Sequence, residues 1–120
     1  MSFQILGTGS FVPERIVTND QLSTMVETSD AWITQRVGVK ERHVCTTETV
    51  TDLGAEAGRR ALEAAGVKPE ELDLIIGATI SADTISPGLG GMVQSRLGAS
   101  CPAFDMNVAC PGFLFALDVA

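Results

Sequence analysis

The feature that most constrains this chain is the alternation of helix-like and apolar strand-like runs through residues 48–120. "ETVTDLGAEAGRRALEAAG" predicts a helix with Thr49 at its start and Gly66 just past its end, and its alanines and glycines permit close packing. "LIIGATI" is a short apolar run between turn signals, suited to a strand covered on both faces. "GLGGMVQSRLG" predicts a second helix, "CPAFDMN" a further strand, and "CPGFLFALDVA" a last helix beginning at Cys110. Strands and helices alternating in units of this length build a parallel sheet with right-handed crossovers, so the chain is α/β.

Upstream, the signals are shorter. Residues 3–8 predict a short strand, and Pro13 with "ERIVTND" marks a surface excursion. Gly7-Thr8-Gly9 has no third glycine and opens no helix, so it is a turn rather than a dinucleotide fingerprint. Thr18 or Asn19 can cap a small helix over "DQLSTMV"; Ser29 can cap another over "DAWITQR", which stops near Gly38. "VKERHV" predicts an exposed strand, and the basic surface of that strand accounts for His43, the one histidine in the chain.

Length and composition narrow the function classes. At 120 residues, 45% hydrophobic and 19% charged, the chain has the make-up of one ordinary globular domain with one core. A net charge of −7 argues against a broad nucleic-acid surface. No apolar run approaches the roughly 18 residues of a membrane span, and "MSFQILGTGS" lacks the pattern of a secretory signal. Three cysteines without CxxC spacing suggest neither a disulfide framework nor a zinc site, so the expected setting is a reducing cytoplasm. The last helix is apolar on nearly every side and stops without a cap, which leads to the expectation of the N-terminal part of a larger protein, truncated within that helix.

The junction "NVACPGF" carries the chemistry. A cysteine at the first turn of a helix faces unpaired N–H groups at the positive end of the helix dipole, which favours the thiolate. Proline suits that turn because its missing N–H has no helical acceptor there, and Gly112 permits close approach to the backbone. The dipole contributes only about 0.3–1 kcal/mol, so a fast nucleophile needs a histidine or another cation as well. On the residues alone, Cys110 stays open between an inert buried thiol and a nucleophile.

Taken together, "ILGTGSFVPERIVTN", "TSDAWITQRVGVKERH", "LIIGATISAD" and "CPAFDMNVACPGF", in this order and spacing, resemble the N-terminal portion of β-ketoacyl-acyl carrier protein synthase III, in the thiolase-like superfamily. The resemblance implies one part of a layered α/β/α half with a mostly parallel mixed sheet. It implies that Cys110 takes an acyl group from acyl-CoA and that malonyl-acyl carrier protein, on decarboxylation, attacks the thioester. The family's catalytic histidine and asparagine lie in its C-terminal half, and its oxyanion hole uses the backbone N–H of the cysteine.

By the same resemblance Trp32 and Arg36, four apart and so on one helix face, hold the adenine and phosphate end of CoA, with Thr28 just before them. A flat ring beside a guanidinium suits such a ligand, whereas the residues alone, without the resemblance, favour a core tryptophan with a solvated arginine. Lys40 and Arg42 can add local positive potential. Two departures stand out: Ser86 occupies the place where many members carry a pocket-limiting phenylalanine, implying a roomier acyl pocket, and Pro111 replaces a small residue. No resident cofactor or metal is implied, CoA thioester being substrate. A homodimer is, with "CPAFDMN" near its two-fold axis and residues 81–90 reaching toward the partner's pocket. Alternatives are a related thiolase-fold acyltransferase of the polyketide starter or hydroxymethylglutaryl-CoA synthase type, or an inactive CoA-binding or dimerising fragment.

Overall fold

The computed structural model describes residues 3–120. The chain divides into two compact units, one of residues 3–11 with Thr49–Ala120 and one of Val12–Glu48. Each unit has buried apolar residues, Val93 and Cys101 in the first, Val17 and Ile33 in the second.

In the Val12–Glu48 unit, strand β1 (Ile16–Thr18) pairs antiparallel with β2 (Glu41–His43), with Val17 opposite Arg42. Only β2 was legible in the sequence; β1 falls within the stretch expected to be a surface excursion, because its three residues acquire strand geometry from a partner some 25 positions away. Helix α1 (Asn19–Ser23) starts on Thr18, which with Gln21 forms a reciprocal capping box, so Thr18 and not Asn19 is the cap. Asn19 is instead buried and acts as a hub. Its Nδ2 donates to Asp30 Oδ1 and to the Val39 carbonyl, both at 2.8 Å, while its Oδ1 accepts from Arg42 Nη2 at 2.5 Å. Helix α2 (Asp30–Val37) starts on Ser29, whose hydroxyl accepts from the Trp32 N–H, and stops at Gly38 in the left-handed conformation.

In the other unit, α3 (Val50–Ala65) has Thr49 and Asp52 as a capping box and left-handed Gly66 at its end. A short 3₁₀ turn, Pro69–Glu71, leads to β3 (Ile75–Ala78). Helix α4 (Leu89–Leu97) crosses over to β4 (Ala103–Met106), which pairs parallel with β3 from Ile75 opposite Ala103 to Ala78 opposite Met106. Helix α5 (Gly112–Val119) follows. Glycines on α3 let α4 come close. A Cβ on Gly54 would lie 3.1 Å from Val93 Cγ2, and one on Gly58 3.3 Å from Leu97 Cδ1.

Residues 3–8 form no strand. The alternation is present, but a ladder needs a partner, and none lies beside this segment among the described residues. The segment runs along α3 instead. A Cβ on Gly7 would meet the Ala61 carbonyl oxygen at 2.6 Å, so the Gly-Thr-Gly sequence serves close backbone approach and not a turn. Arg60 fastens this segment, its Nη1 donating to the Ser10 carbonyl at 2.9 Å and its guanidinium lying 5.0 Å from the Phe11 ring centroid. An apolar groove of about 790 Å³ is lined by Ile5, Leu6, β3, α3 and α4.

Candidate functional site

The parallel pairing places two loops at the carboxyl ends of adjacent strands. Residues 79–88, carrying Ser86, leave β3 at Ala78; residues 107–111, carrying Cys110, leave β4 at Met106, the register partner of Ala78. Crevices beyond the carboxyl ends of parallel strands are where open α/β sheets bind ligands. The two residues come from loops that leave adjacent strands at paired positions.

Cys110 is exposed. Its surroundings differ from the sequence expectation in one respect: the helix begins at Gly112, with Pro111 as N-cap, so the cysteine precedes the first turn. The cause is the backbone just before it. Ala109 adopts φ +50°, a left-handed conformation uncommon outside glycine, asparagine and aspartate, costing about 1–3 kcal/mol. That sharp bend redirects the chain from β4 into α5, and the Gly112 N–H closes it by donating to the Ala109 carbonyl at 3.1 Å. The Cys110 N–H donates to no group among the described residues. Gly112 is buried against Ala78, but a Cβ there would lie 3.6 Å from the Ala78 Cβ, an ordinary contact. Within this unit, therefore, close approach does not require glycine at 112.

The other sequence-derived residues lie in the Val12–Glu48 unit. Thr28 and Trp32 line one shallow depression of about 250 Å³, together with Glu27 and Ser29. Trp32 is 57% exposed in this chain. Arg36 follows one turn along α2, exposed and without an ion-pair partner among the described residues. The structure thus brings Thr28 and Trp32 together, with Arg36 next on the same helix. Of the two further cations, Lys40 reaches Thr34 Oγ1 at 3.0 Å and Asp30 Oδ2 at 3.8 Å. Arg42 donates to the Val17 carbonyl and to Asn19 Oδ1, two neutral acceptors that hold the guanidinium in place and leave its charge unpaired among the described residues. His43 is likewise structural, its Nδ1 lying 2.5 Å from the Pro13 carbonyl.

Sequence reasoning missed the residues that hold these elements. Asn19 ties α1, α2 and β2 together, and its hydrogen bond is the main cause that lowers the Asp30 carboxyl below its ordinary range. Asp83 and Asp105 accept backbone N–H groups at the starts of α3 and α4. The only sequence signal for either was a polar residue in a loop or strand. Cys101, by contrast, is buried, and Cys45 is exposed.

No family model matches the chain. A β-ketoacyl-acyl carrier protein synthase III of Clostridium acetobutylicum is 52% identical over 120 residues, which is 99% of this chain and 37% of the relative. The crystal structure of a 3-oxoacyl-acyl carrier protein synthase III from Aquifex aeolicus superposes with a TM-score of 0.93 at 44% identity, covering 97% of this chain and 38% of that one. A priming β-ketosynthase from a polyketide biosynthetic pathway gives 0.92 at 38% identity, covering 98% and 36%. The chain spans little more than a third of the length of the proteins it matches.

Proposed function

Because the chain belongs to the β-ketoacyl-acyl carrier protein synthase III family, with its thiolase-like fold, we propose that the whole protein is the initiating condensing enzyme of fatty acid synthesis and that Cys110 is its nucleophile. The observation that carries this is the exposed thiol on a left-handed bend between β4 and α5. In the first half-reaction the Cys110 thiolate attacks the carbonyl carbon of an acyl-CoA thioester. The tetrahedral oxyanion is met by the Cys110 N–H, and collapse expels CoA as thiolate, leaving the acyl group on sulfur. In the second, malonyl-acyl carrier protein loses carbon dioxide and its carbanion attacks that acyl carbonyl, forming the carbon–carbon bond and releasing the Cys110 thiolate. Trp32, Arg36 and Thr28 hold the nucleotide end of CoA, the ring by stacking and the guanidinium by charge. The histidine and asparagine of the condensation step belong to the family's other half.

Ser86, exposed on its loop, leaves the acyl pocket roomier than a phenylalanine would, so primers longer or more branched than acetyl are accepted. Turnover of acetyl-CoA alone would contradict this. No resident cofactor takes part. The outer edge of β4 is unpaired among the described residues and Phe104 is 41% exposed, which supports a homodimer formed along that strand. No helix among the described residues is long and apolar enough to cross a membrane.

The test uses the two exposed thiols as each other's reference. Iodoacetamide should modify Cys110 faster than Cys45, and acyl-CoA should protect Cys110 alone. Equal labelling of both, unaffected by acyl-CoA, would overturn the proposal. The likeness to a priming β-ketosynthase favours a second reading, a polyketide starter enzyme, and product analysis with malonyl-acyl carrier protein separates the two. A native mass equal to that of these 120 residues would instead favour an inactive binding or dimerising fragment.

A further inference from the structure

The Ser86-bearing loop, residues 79–88, has no secondary structure, and Ile85 at its tip is wholly exposed, yet carboxylates fasten it on two sides. Asp83, from within the loop, accepts the Val50 N–H at 2.8 Å and the Thr51 N–H at 2.7 Å, two amides of the first turn of α3. Asp105, from β4, accepts the Leu89 N–H at 2.5 Å and the Gly90 N–H at 2.6 Å where the loop runs into α4. The α4 N-cap is Gly88, which has no side chain to offer, so β4 supplies the missing acceptor. Space is cleared for it. A Cβ on Gly77 would come within 2.8 Å of the Asp105 carboxylate, and one on Gly88 closer still. Between the two fastenings, Thr84 Oγ1 donates to the Pro87 carbonyl at 2.6 Å and folds the loop on itself.

Each carboxylate offers two oxygens to two backbone N–H groups at the positive end of a helix, a match that an amide side chain of the same shape reproduces only by half. The Thr51 hydroxyl and N–H hold the Asp83 carboxyl below its ordinary range, as expected for an ionised acceptor. Asp105 lies five residues before Cys110 on the same strand-to-turn segment, so its bond to the start of α4 joins the chain that carries the thiol to the loop that carries Ser86.

We propose that Asp83 and Asp105 are positioning residues that fix the Ser86 loop between α3 and β4 and thereby set which acyl chains the Cys110 thioester accepts. This rests on the condensing-enzyme reading. Asp52 provides a built-in control, because it serves the same α3 terminus by bonding Thr49, pairs with Arg96 at 3.0 Å, and acts on Asp83 by charge repulsion, with no hydrogen bond of its own to the loop among the described residues.

The experiment compares Asp83→Asn, Asp105→Asn and Asp52→Asn in the full-length protein. It reads kcat/KM for acetyl-CoA against a longer, branched acyl-CoA. The two loop variants should shift that ratio by about threefold or more, mainly through KM of the longer primer, while Asp52→Asn leaves it unchanged. Amide exchange at Val50 and Thr51 should quicken in Asp83→Asn, which reports the fastening directly even if Asp105→Asn fails to fold. An unmoved ratio in Asp83→Asn, or an equal shift in Asp52→Asn, would overturn the inference while leaving the proposed function intact. A wild-type protein that forms no acyl adduct on Cys110 would sink both.

Discussion

Helices α2 and α5 are each eight residues long, and they are begun in opposite ways. The start and stop of α2 are written within ten residues: the Ser29 hydroxyl accepts the Trp32 N–H, and left-handed Gly38 donates to the Ile33 and Thr34 carbonyls. The start of α5 has no side-chain acceptor at all; Pro111 merely occupies the cap, and the turn is made by Ala109 in a conformation that disfavours a side chain. The helix proposed to hold a nucleotide is thus locally stabilised. The bend proposed to present a nucleophile is held by what packs around it, β4 behind and Ala78 beside Gly112. Functional turns are where local preference is overridden, since the required direction of the sulfur is not one the unstrained chain adopts.

The contrast can be broken at α2 first. Trp32→Ala removes a 57% exposed ring and should raise KM for acyl-CoA by about 2–10-fold at nearly unchanged kcat, from roughly 0.5–1.5 kcal/mol of stacking. A thioester lacking adenine and phosphates should show no such difference, and a loss with that truncated substrate too would remove Trp32 from the nucleotide site. Ser29→Ala is expected to destabilise the Val12–Glu48 unit by about 1 kcal/mol, read from denaturant midpoints, because it leaves the Trp32 N–H without its acceptor. Stability equal to wild type would mean that α2 is not held by its cap. The smallest effect is expected at the other helix. Ala109→Gly relieves the left-handed strain and should change stability by no more than about 1 kcal/mol, the gain being partly offset by greater freedom in the unfolded chain. Acylation of Cys110 should nonetheless slow, because the bend becomes one of several available to glycine; an unchanged acylation rate would show that the strain has no part in presenting the thiol.

How much of this was legible in the residues follows the same division. Helix α3 was readable throughout, since Thr49, Asp52 and Gly66 act within a turn of the residues they satisfy. Residues 3–8 carry the alternation of a strand but not the neighbour that would make them one. Asn19 looked like one of two possible caps and proved to be a buried hub, because its partners Asp30, Val39 and Arg42 lie 11 to 23 positions away. At the candidate site, Cys110, Trp32, Arg36, Thr28 and Ser86 were singled out by the resemblance, whereas Asp83 and Asp105 were invisible: a carboxylate declares itself as a cap of a distant helix only when the helix is in place.

The sequence by itself determined the α/β class and the capped ends of α2 and α3, since each depends on hydrogen bonds or hydrophobic periods a few residues long. Tertiary structure alone decided that β1 would exist, that Gly7 would lie on α3, that α5 would begin two residues after Cys110, and which carboxylates would fasten the Ser86 loop. Those outcomes depend on groups brought together from distant parts of the chain, and no local preference encodes the meeting.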